Sequence, residues 1–300
     1  MSHLPQPSPA EALAAIRIVL VSPAGPLNVG SIARVMKNFG FSQLVLVAPQ
    51  CEPLDADALQ MAVHADDVLR AASLVNTIPE ALAGCKHAIA TTARNRGFDA
   101  PLLPPETALP KLFFQARTAA ASTGSSQLKA PSDADEPTGS AFSPTALIFG
   151  PEDRGLSNEE LTYAQTFTKI QTTDAYSALN LAQAVTVCCY ELSRVAQKLF
   201  VERTSVTSTH DDPLQNSPSS VKQTESNHLN LATLDDLEGY YQHLEAVLLK
   251  VEYLYPHTAA SRMRKFRQLL HRTTPTANEV ALLRGMLRQV EWALSDSTKG

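Results

Sequence analysis

The run Ala146-Leu147-Ile148-Phe149-Gly150-Pro151-Glu152-Asp153-Arg154-Gly155, followed by Tyr176-Ser177-Ala178-Leu179-Asn180-Leu181-Ala182, decides the fold. An apolar strand pattern ends at a glycine and a polar loop follows. A second short strand near Thr168 to Gln171 then leads through a serine-marked loop into a long helix from Leu179 to Leu192. Strand ends, polar loops and helix N-termini are the parts from which α/β proteins build ligand sites. Gly150 and Gly155 permit close backbone approach around Glu152. Ser177 is placed to cap the long helix, with Asn180 three residues on as a weaker capping-box partner. Most faces of that helix are apolar, so it should be buried on both sides, by a sheet and by a second copy of the chain in a homodimer.

Upstream, Ile16 to Val21 and Gln43 to Ala48 are short, β-branched runs with a helical pattern between them, which reads as a parallel βαβ unit. Asn28 can cap this helix, and Phe39-Gly40 supplies a glycine stop. At about 100° per residue, Val29, Ile32, Ala33 and Met36 form its buried stripe and leave Gly30, Arg34 and Lys37 together on the other face. Arg34 then stands one turn from a residue without a side chain, with room beside its guanidinium for a phosphate or sugar. Taken alone, it reads sooner as a solvated surface arginine. The loop Gly25 to Ser31 has P-loop glycine spacing but no lysine after the second glycine, and no G-x-G-x-x-G follows the first strand. Asp55 to Ala72 reads as a helix broken in the middle, with Asp66 and Asp67 as helix-start charges. His87 to Ala93 is another strand pattern, whose polar end Thr91-Thr92-Ala93 lies where ligands of parallel sheets sit.

Composition bounds the rest. With 300 residues and 44% hydrophobic content the chain can bury a good-sized core, and a formal charge of -5 gives no global reason to bind nucleic acid. The four cysteines, Cys51, Cys85, Cys188 and Cys189, show no metal-ligand spacing, so a reducing compartment and no structural metal are expected. No apolar run is long enough to span a membrane, and the start of the chain lacks a secretory pattern, which points to the cytoplasm. The polar composition of 117–145 reads as a disordered insertion, 1–15 as a disordered tail and 201–230 as a linker. Three helical patterns follow in 231–300, expected to form a small antiparallel bundle. Arg262, Arg264, Lys265, Arg267 and Arg272 concentrate positive charge there, which makes this the best candidate for a phosphate-contacting face.

Four motifs now stand in order: Asn28-x-Gly30-x-x-x-Arg34, Thr91-Thr92-Ala93-Arg94, Phe149-Gly150-Pro151-Glu152-x-x-Gly155 with Asn158-Glu159-Glu160, and Tyr176-Ser177-x-Leu179-Asn180-Leu181-Ala182. Together they resemble the SPOUT superfamily of RNA methyltransferases, in its ribose 2′-O-methylating SpoU-type branch. The segment Leu234 to Glu291 is similar to the bacterial TrmJ family within that branch. The resemblance implies a six-stranded α/β domain over 16–200, a parallel sheet with a C-terminal trefoil knot, plus a small all-α RNA-binding domain over 231–300. It implies S-adenosyl-L-methionine as cofactor, held by Thr91, Thr92, Ala93, Gly150, Pro151, Glu152, Ile170, Ser177, Ala178, Leu179 and Asn180. It places Arg34 and Asn28 at the ribose of a tRNA, at a cytidine or uridine opening the anticodon loop. A guanidinium is a poor proton acceptor, so a clamp on the adjacent phosphate suits Arg34 better than a base. The alternatives are 2′-O-methylation at another tRNA or rRNA site and a catalytically silent RNA-binding module of the same fold. The loop after Phe149 departs from the pattern of the family at Pro151-Glu152-Asp153, which leaves the use of Arg154 open.

Overall fold

The β-branched runs form strands that all pair in parallel. In the computed structural model, which describes residues 8–93, 101–116, 142–173, 175, 178–205 and 230–297, the strands are β1 (Ile16–Val21), β2 (Gln43–Val47), β3 (Ser73–Val75), β4 (His87–Thr91), β5 (Leu102–Leu103), β6 (Thr145–Phe149) and β7 (Thr166–Thr168). Their order across the sheet is β3-β2-β1-β6-β4-β7-β5, seven strands where six were expected, the extra one being the two-residue β5. β6 lies between β1 and β4, with Ile148 opposite both Val19 and Ala90. Being covered on both faces, it is buried along its whole length and has no polar alternation.

Successive side chains point to opposite faces, and this sorts the core in two. Ile16, Ile18, Leu20, Leu44, Leu46, Ile89, Leu147 and Phe149 face one layer; Val19, Val21, Val45, Val47, Ala88, Ala90, Ala146 and Ile148 face the other. The first layer holds α1 (Pro9–Ala14), α2 (Pro26–Phe39), α3 (Ala56–Ala62), α4 (Asp66–Arg70), α6 (Pro105–Ala108), α7 (Pro110–Ala116) and α8 (Leu181–Ser205). The stretch expected to be a tail therefore contains a helix: Ser8 and Glu11 form a capping box, and Ala12 and Leu13 are buried. The expected insertion falls mostly outside the described residues, but its end is ordered, since Phe142 is buried and β6 begins at Thr145.

Helix α2 has the anticipated stripe of Val29, Ile32, Ala33 and Met36, and Gly40 ends it in the left-handed region at φ 84°. The face expected to stay open is used differently. A Cβ on Gly30 would sit 2.1 Å from the Ala58 carbonyl oxygen, so the missing side chain admits the backbone of α3 and leaves no room there for a substrate. Lys37 bridges to the α3–α4 junction, its Nζ donating to the His64 carbonyl at 2.7 Å and to Asp67 at 2.8 Å. On α8 only one stripe, with Leu181, Val185, Cys188, Cys189, Leu192 and Ala196, is buried against α1 and α2, while Tyr190 is exposed. Burial pushes the Cys188 thiol up to about 12, and raises that of Cys189 as well, so both are neutral packing groups.

The second layer is built from α5 (Ile78–Ala81), a 3₁₀ turn at Glu160–Tyr163, and the C-terminal helices α9 (Leu234–Lys250), α10 (Pro256–His271) and α11 (Ala277–Ser297). These helices share one apolar core with the sheet, in which Leu237, Tyr241, Leu244 and Met263 join Val19, Ala88 and Ile148. Polar ties fix the register. Gly84 N donates to Asp235 at 2.8 Å, Leu234 N to the Cys85 carbonyl at 2.8 Å, and Lys86 Nζ to the Leu231 carbonyl. Among the described residues no helix is long and apolar enough to cross a membrane, and no group of three His, Cys, Asp or Glu could hold a metal.

His87 makes folding pH-dependent. It is buried in β4 with Nε2 3.2 Å from Thr166 Oγ1, and burial pushes its pKa down to about 3, with smaller repulsions from Lys111 and His271. The folded state keeps it neutral, whereas the unfolded chain protonates it near pH 6.5. Stability should be level above about pH 6.5 and fall below it by about 1.4 kcal/mol per pH unit on this account. Urea denaturation at pH 7.5 and pH 5 tests this; His271, whose pKa burial pushes down to about 4, adds a similar decline, so His87→Gln should reduce the slope and not remove it.

Candidate active site

The C-terminal ends of β4, β6 and β7 and the N-terminus of α8 surround one cleft. It is lined by Thr91, Thr92 and Ala93, by the loop Phe149 to Leu156, by Thr168 and Ile170, and by Ala178, Leu179, Leu181 and Ala184. It is open to solvent on one side and mixes apolar walls with main-chain polar groups, as small-molecule sites do. Such a crevice forms where neighbouring parallel strands send their connections in different directions, as β6 and its neighbours do here.

Backbone packing shapes the wall. A Cβ on Gly150 would lie 2.2 Å from Leu156 N and 2.4 Å from the Gly155 carbonyl carbon, so only glycine lets the strand end touch its own returning loop. Gly155 takes φ 66° and its N donates to the Pro151 carbonyl at 2.9 Å, closing the turn. Arg154 reaches back to Glu160 with two bonds of 2.8 and 2.9 Å, and Glu160 also accepts from Ser157 N at 2.6 Å. These bonds pin the loop to the following turn, and Arg154 lines the cleft as well.

Glu152 links this wall to α2. Its carboxylate accepts from Ala24 N at 3.1 Å, Gly25 N at 3.2 Å and Asn28 Nδ2 at 2.9 Å. Gly25, which precedes the helix, has no side chain with which to cap it, so a remote anion takes that place and meets the positive end of the helix dipole. Partial burial opposes its charge, but the bonds from Asn28, Ala24 and Gly25 prevail and hold the carboxyl below the usual range. A carboxylate only accepts, which turns the Asn28 amide nitrogen toward it and leaves Asn28 Oδ1 to accept from Asn180 Nδ2 at 2.9 Å. Asn180 Oδ1 in turn accepts from Ala182 N at 2.9 Å and Gln183 N at 3.4 Å, while Gln183 Oε1 accepts from Asn180 N at 3.2 Å.

Three of the four sequence motifs thus meet in one hydrogen-bonded chain, with some revised roles. Asn28 lies inside α2 and does not cap it. Asn180, the residue before α8, carries the cap assigned to Ser177, which itself falls outside the described residues. Thr91, Thr92, Ala93, Gly150, Pro151, Glu152, Ile170, Ala178 and Leu179 line the cleft; Asn180 supports it from behind. Arg34 is exposed on α2 and is not among the lining residues. Sequence reading missed Phe149, Asp153, Arg154, Gly155, Leu156, Leu181 and Ala184 as walls, although each lies in or beside a motif that it singled out, and Thr168, which does not. Asn180→Ala is expected to cost about 1 kcal/mol as a lost cap. Asn180→Asp should recover most of that in thermal melts while leaving Asn28 without its donor.

The basic cluster divides. Arg267 is turned inward: it forms a two-pronged pair with Glu238 at 2.5 and 2.8 Å and lies over the rings of Tyr241 and Tyr163, so it is a packing group and not part of an RNA-facing surface. Arg264, Lys265 and Arg272 line a second cleft against Leu161, Thr162 and Phe167, and Arg262 lies over the ring of Tyr253.

Comparison with known proteins agrees with this geometry. Residues 15–190 match the SpoU rRNA Methylase family, and residues 235–299 match the C-terminal domain of the tRNA methyltransferase TrmJ. The chain is 35% identical to the tRNA (cytidine/uridine-2′-O-)-methyltransferase TrmJ of Pectobacterium atrosepticum, over 92% of this chain and 96% of that one. It is 36% identical to the tRNA (cytidine/uridine/adenosine-2′-O-)-methyltransferase TrmJ of Pseudomonas aeruginosa, over 92% and 93%. The crystal structure of TrmJ from Z. mobilis ZM4 superposes with a TM-score of 0.69 at 29% identity, covering 92% of this chain and 98% of that one. Matched along nearly its whole length by sequence and by fold, the chain belongs to the SpoU methylase family and, within it, to the TrmJ group.

Proposed function

We propose that the protein methylates a ribose 2′-hydroxyl of tRNA with S-adenosyl-L-methionine, at a cytidine or uridine in position 32. One observation carries the reading: nine residues expected at the cofactor, eight of them from three separate motifs and the ninth Ile170, line a single cleft. The donor set suits the cofactor. Main-chain groups of 91–93 and 150–156 can read a purine edge and a methionyl tail, while Phe149, Leu156, Ile170 and Leu179 offer apolar walls. When bound, S-adenosyl-L-methionine supplies an electrophilic methyl group.

The residues of the chain align the acceptor. Asn28, held at both ends of its amide by Glu152 of the cleft wall and by Asn180, orients the acceptor in this reading, and Arg34 clamps the phosphate beside the reacting ribose as a permanent cation. Orientation of this kind can account for up to roughly 7–11 kcal/mol of barrier reduction. The uncovered Tyr190 side of α8 supports a homodimer. Crossing of the chain from β7, outside β4, back to α8 on α2 supports the trefoil knot of the superfamily. Arg262, Arg264, Lys265 and Arg272 are the RNA contacts of the C-terminal helices in this reading, and the cytoplasm is its compartment. Incubation with bulk tRNA and methyl-labelled cofactor, followed by mapping, should place the label on a pyrimidine at position 32. Cofactor binding without incorporation would favour the silent RNA-binding module.

A further inference from the structure

Between α9 and α10 the chain turns through Tyr253-Leu254-Tyr255-Pro256-His257, and the outward side chains of this turn are aromatic. Tyr253 and Tyr255 are 53% and 51% exposed, and His257 is exposed as well. Two large rings and an imidazole on one turn form a small exposed aromatic patch. The turn is also rigid. Leu254, between the two tyrosines, is buried, and Tyr253 N and Leu254 N both donate to the Leu248 carbonyl at 3.0 Å. Thr258 N donates back to the Tyr255 carbonyl at 2.8 Å, fixing the start of α10.

The rings are already arranged as stacking surfaces. Tyr255 and His257 lie 6.0 Å apart at 21°, and the Arg262 guanidinium stands 5.4 Å over the Tyr253 ring while Arg262 Nη1 donates to the Tyr253 carbonyl at 3.1 Å. Arg262 is the cation set at these rings, and the chain that follows them is basic. From Tyr253 to Asn278 there is no acidic residue, while Arg262, Arg264, Lys265, Arg267 and Arg272 fall within that span. Glu252 is the acid that borders it in sequence, and Arg267 is occupied by Glu238. Exposed aromatic rings beside a cation suit single-stranded nucleic acid, since rings stack on bases and cations hold phosphates.

We propose that the turn 253–257 is a stacking platform for an unpaired base of the RNA substrate, with Arg262 and the α10 cations holding the flanking phosphates. This rests on the reading of the protein as an RNA-modifying enzyme. The test uses the full chain and two labelled probes, an oligouridylate and an RNA hairpin with a fully paired stem. Tyr253→Ala with Tyr255→Ala should weaken oligouridylate binding by roughly 10-fold or more and leave the hairpin stem within about 2-fold. Tyr253→Phe with Tyr255→Phe, which keeps the rings, should bind like wild type. Equal losses for both probes, or a phenylalanine variant as weak as the alanine one, would overturn the platform. If wild type and the alanine variant bind the oligouridylate equally, the platform fails alone; if wild type binds neither probe, the RNA reading fails with it.

Discussion

Arg34→Ala should lower methyl transfer to tRNA by roughly 100-fold or more while leaving S-adenosyl-L-methionine affinity nearly unchanged; positioning and acid–base groups typically contribute 10²–10⁴. Arg34 is exposed and lies outside the cofactor cleft, so truncation removes neither core packing nor a cleft wall. Single-turnover rates and calorimetry on the same preparation separate the two effects. Arg34→Lys is informative because an ammonium keeps the charge but cannot make a two-pronged contact with phosphate. Turnover near wild type in Arg34→Ala would remove this residue from the mechanism.

Gly150→Ala should abolish most cofactor binding by a purely steric route. The added Cβ would overlap Leu156 N at 2.2 Å and the Gly155 carbonyl carbon at 2.4 Å, and both belong to backbone that no rotamer change can move. On the strand side, β6 is buried along its length between β1 and β4, so the loop must give way. Overpacking of this kind costs about 1–3 kcal/mol, which corresponds to roughly 5- to 150-fold in cofactor affinity if the loop carries it. Gly155→Ala is the control. Its Cβ would meet nothing, and the strain comes only from its φ of 66°, at about 1–2 kcal/mol. A Gly150→Ala protein that binds the cofactor as wild type does would mean that the loop is not the cofactor wall.

The C-terminal helices match a domain of their own, and the structure adds how they pack. Three helical patterns after a polar stretch look like a separate bundle, but α9 and α10 bury Leu237, Tyr241 and Met263 against the same core as Val19 and Ile148. Cutting the chain after residue 200 would therefore uncover a sheet face as well as remove basic residues, so weaker tRNA binding by such a fragment could come from unfolding. Point substitutions on the exposed turn isolate the RNA-binding term. In the same way five arginines and lysines looked alike in sequence, yet Glu238, Tyr163 and Tyr241 draw Arg267 into the protein.

The sequence by itself determined the parallel strands, the α2 stripe with its stop at Gly40, the cleft-lining loops and the family, because each rests on local periodicity, turn chemistry or ordered short motifs. Tertiary structure alone decided which polar groups satisfy one another. Asn28 bonds Glu152 across 124 positions and Asn180 across 152, and no local pattern records a partner so remote. It also decided what each glycine makes room for: at Gly30 the backbone of a neighbouring helix, at Gly150 the loop that closes the cleft. Spacing can mark where a side chain is missing; only the packed fold fixes what comes to fill the gap.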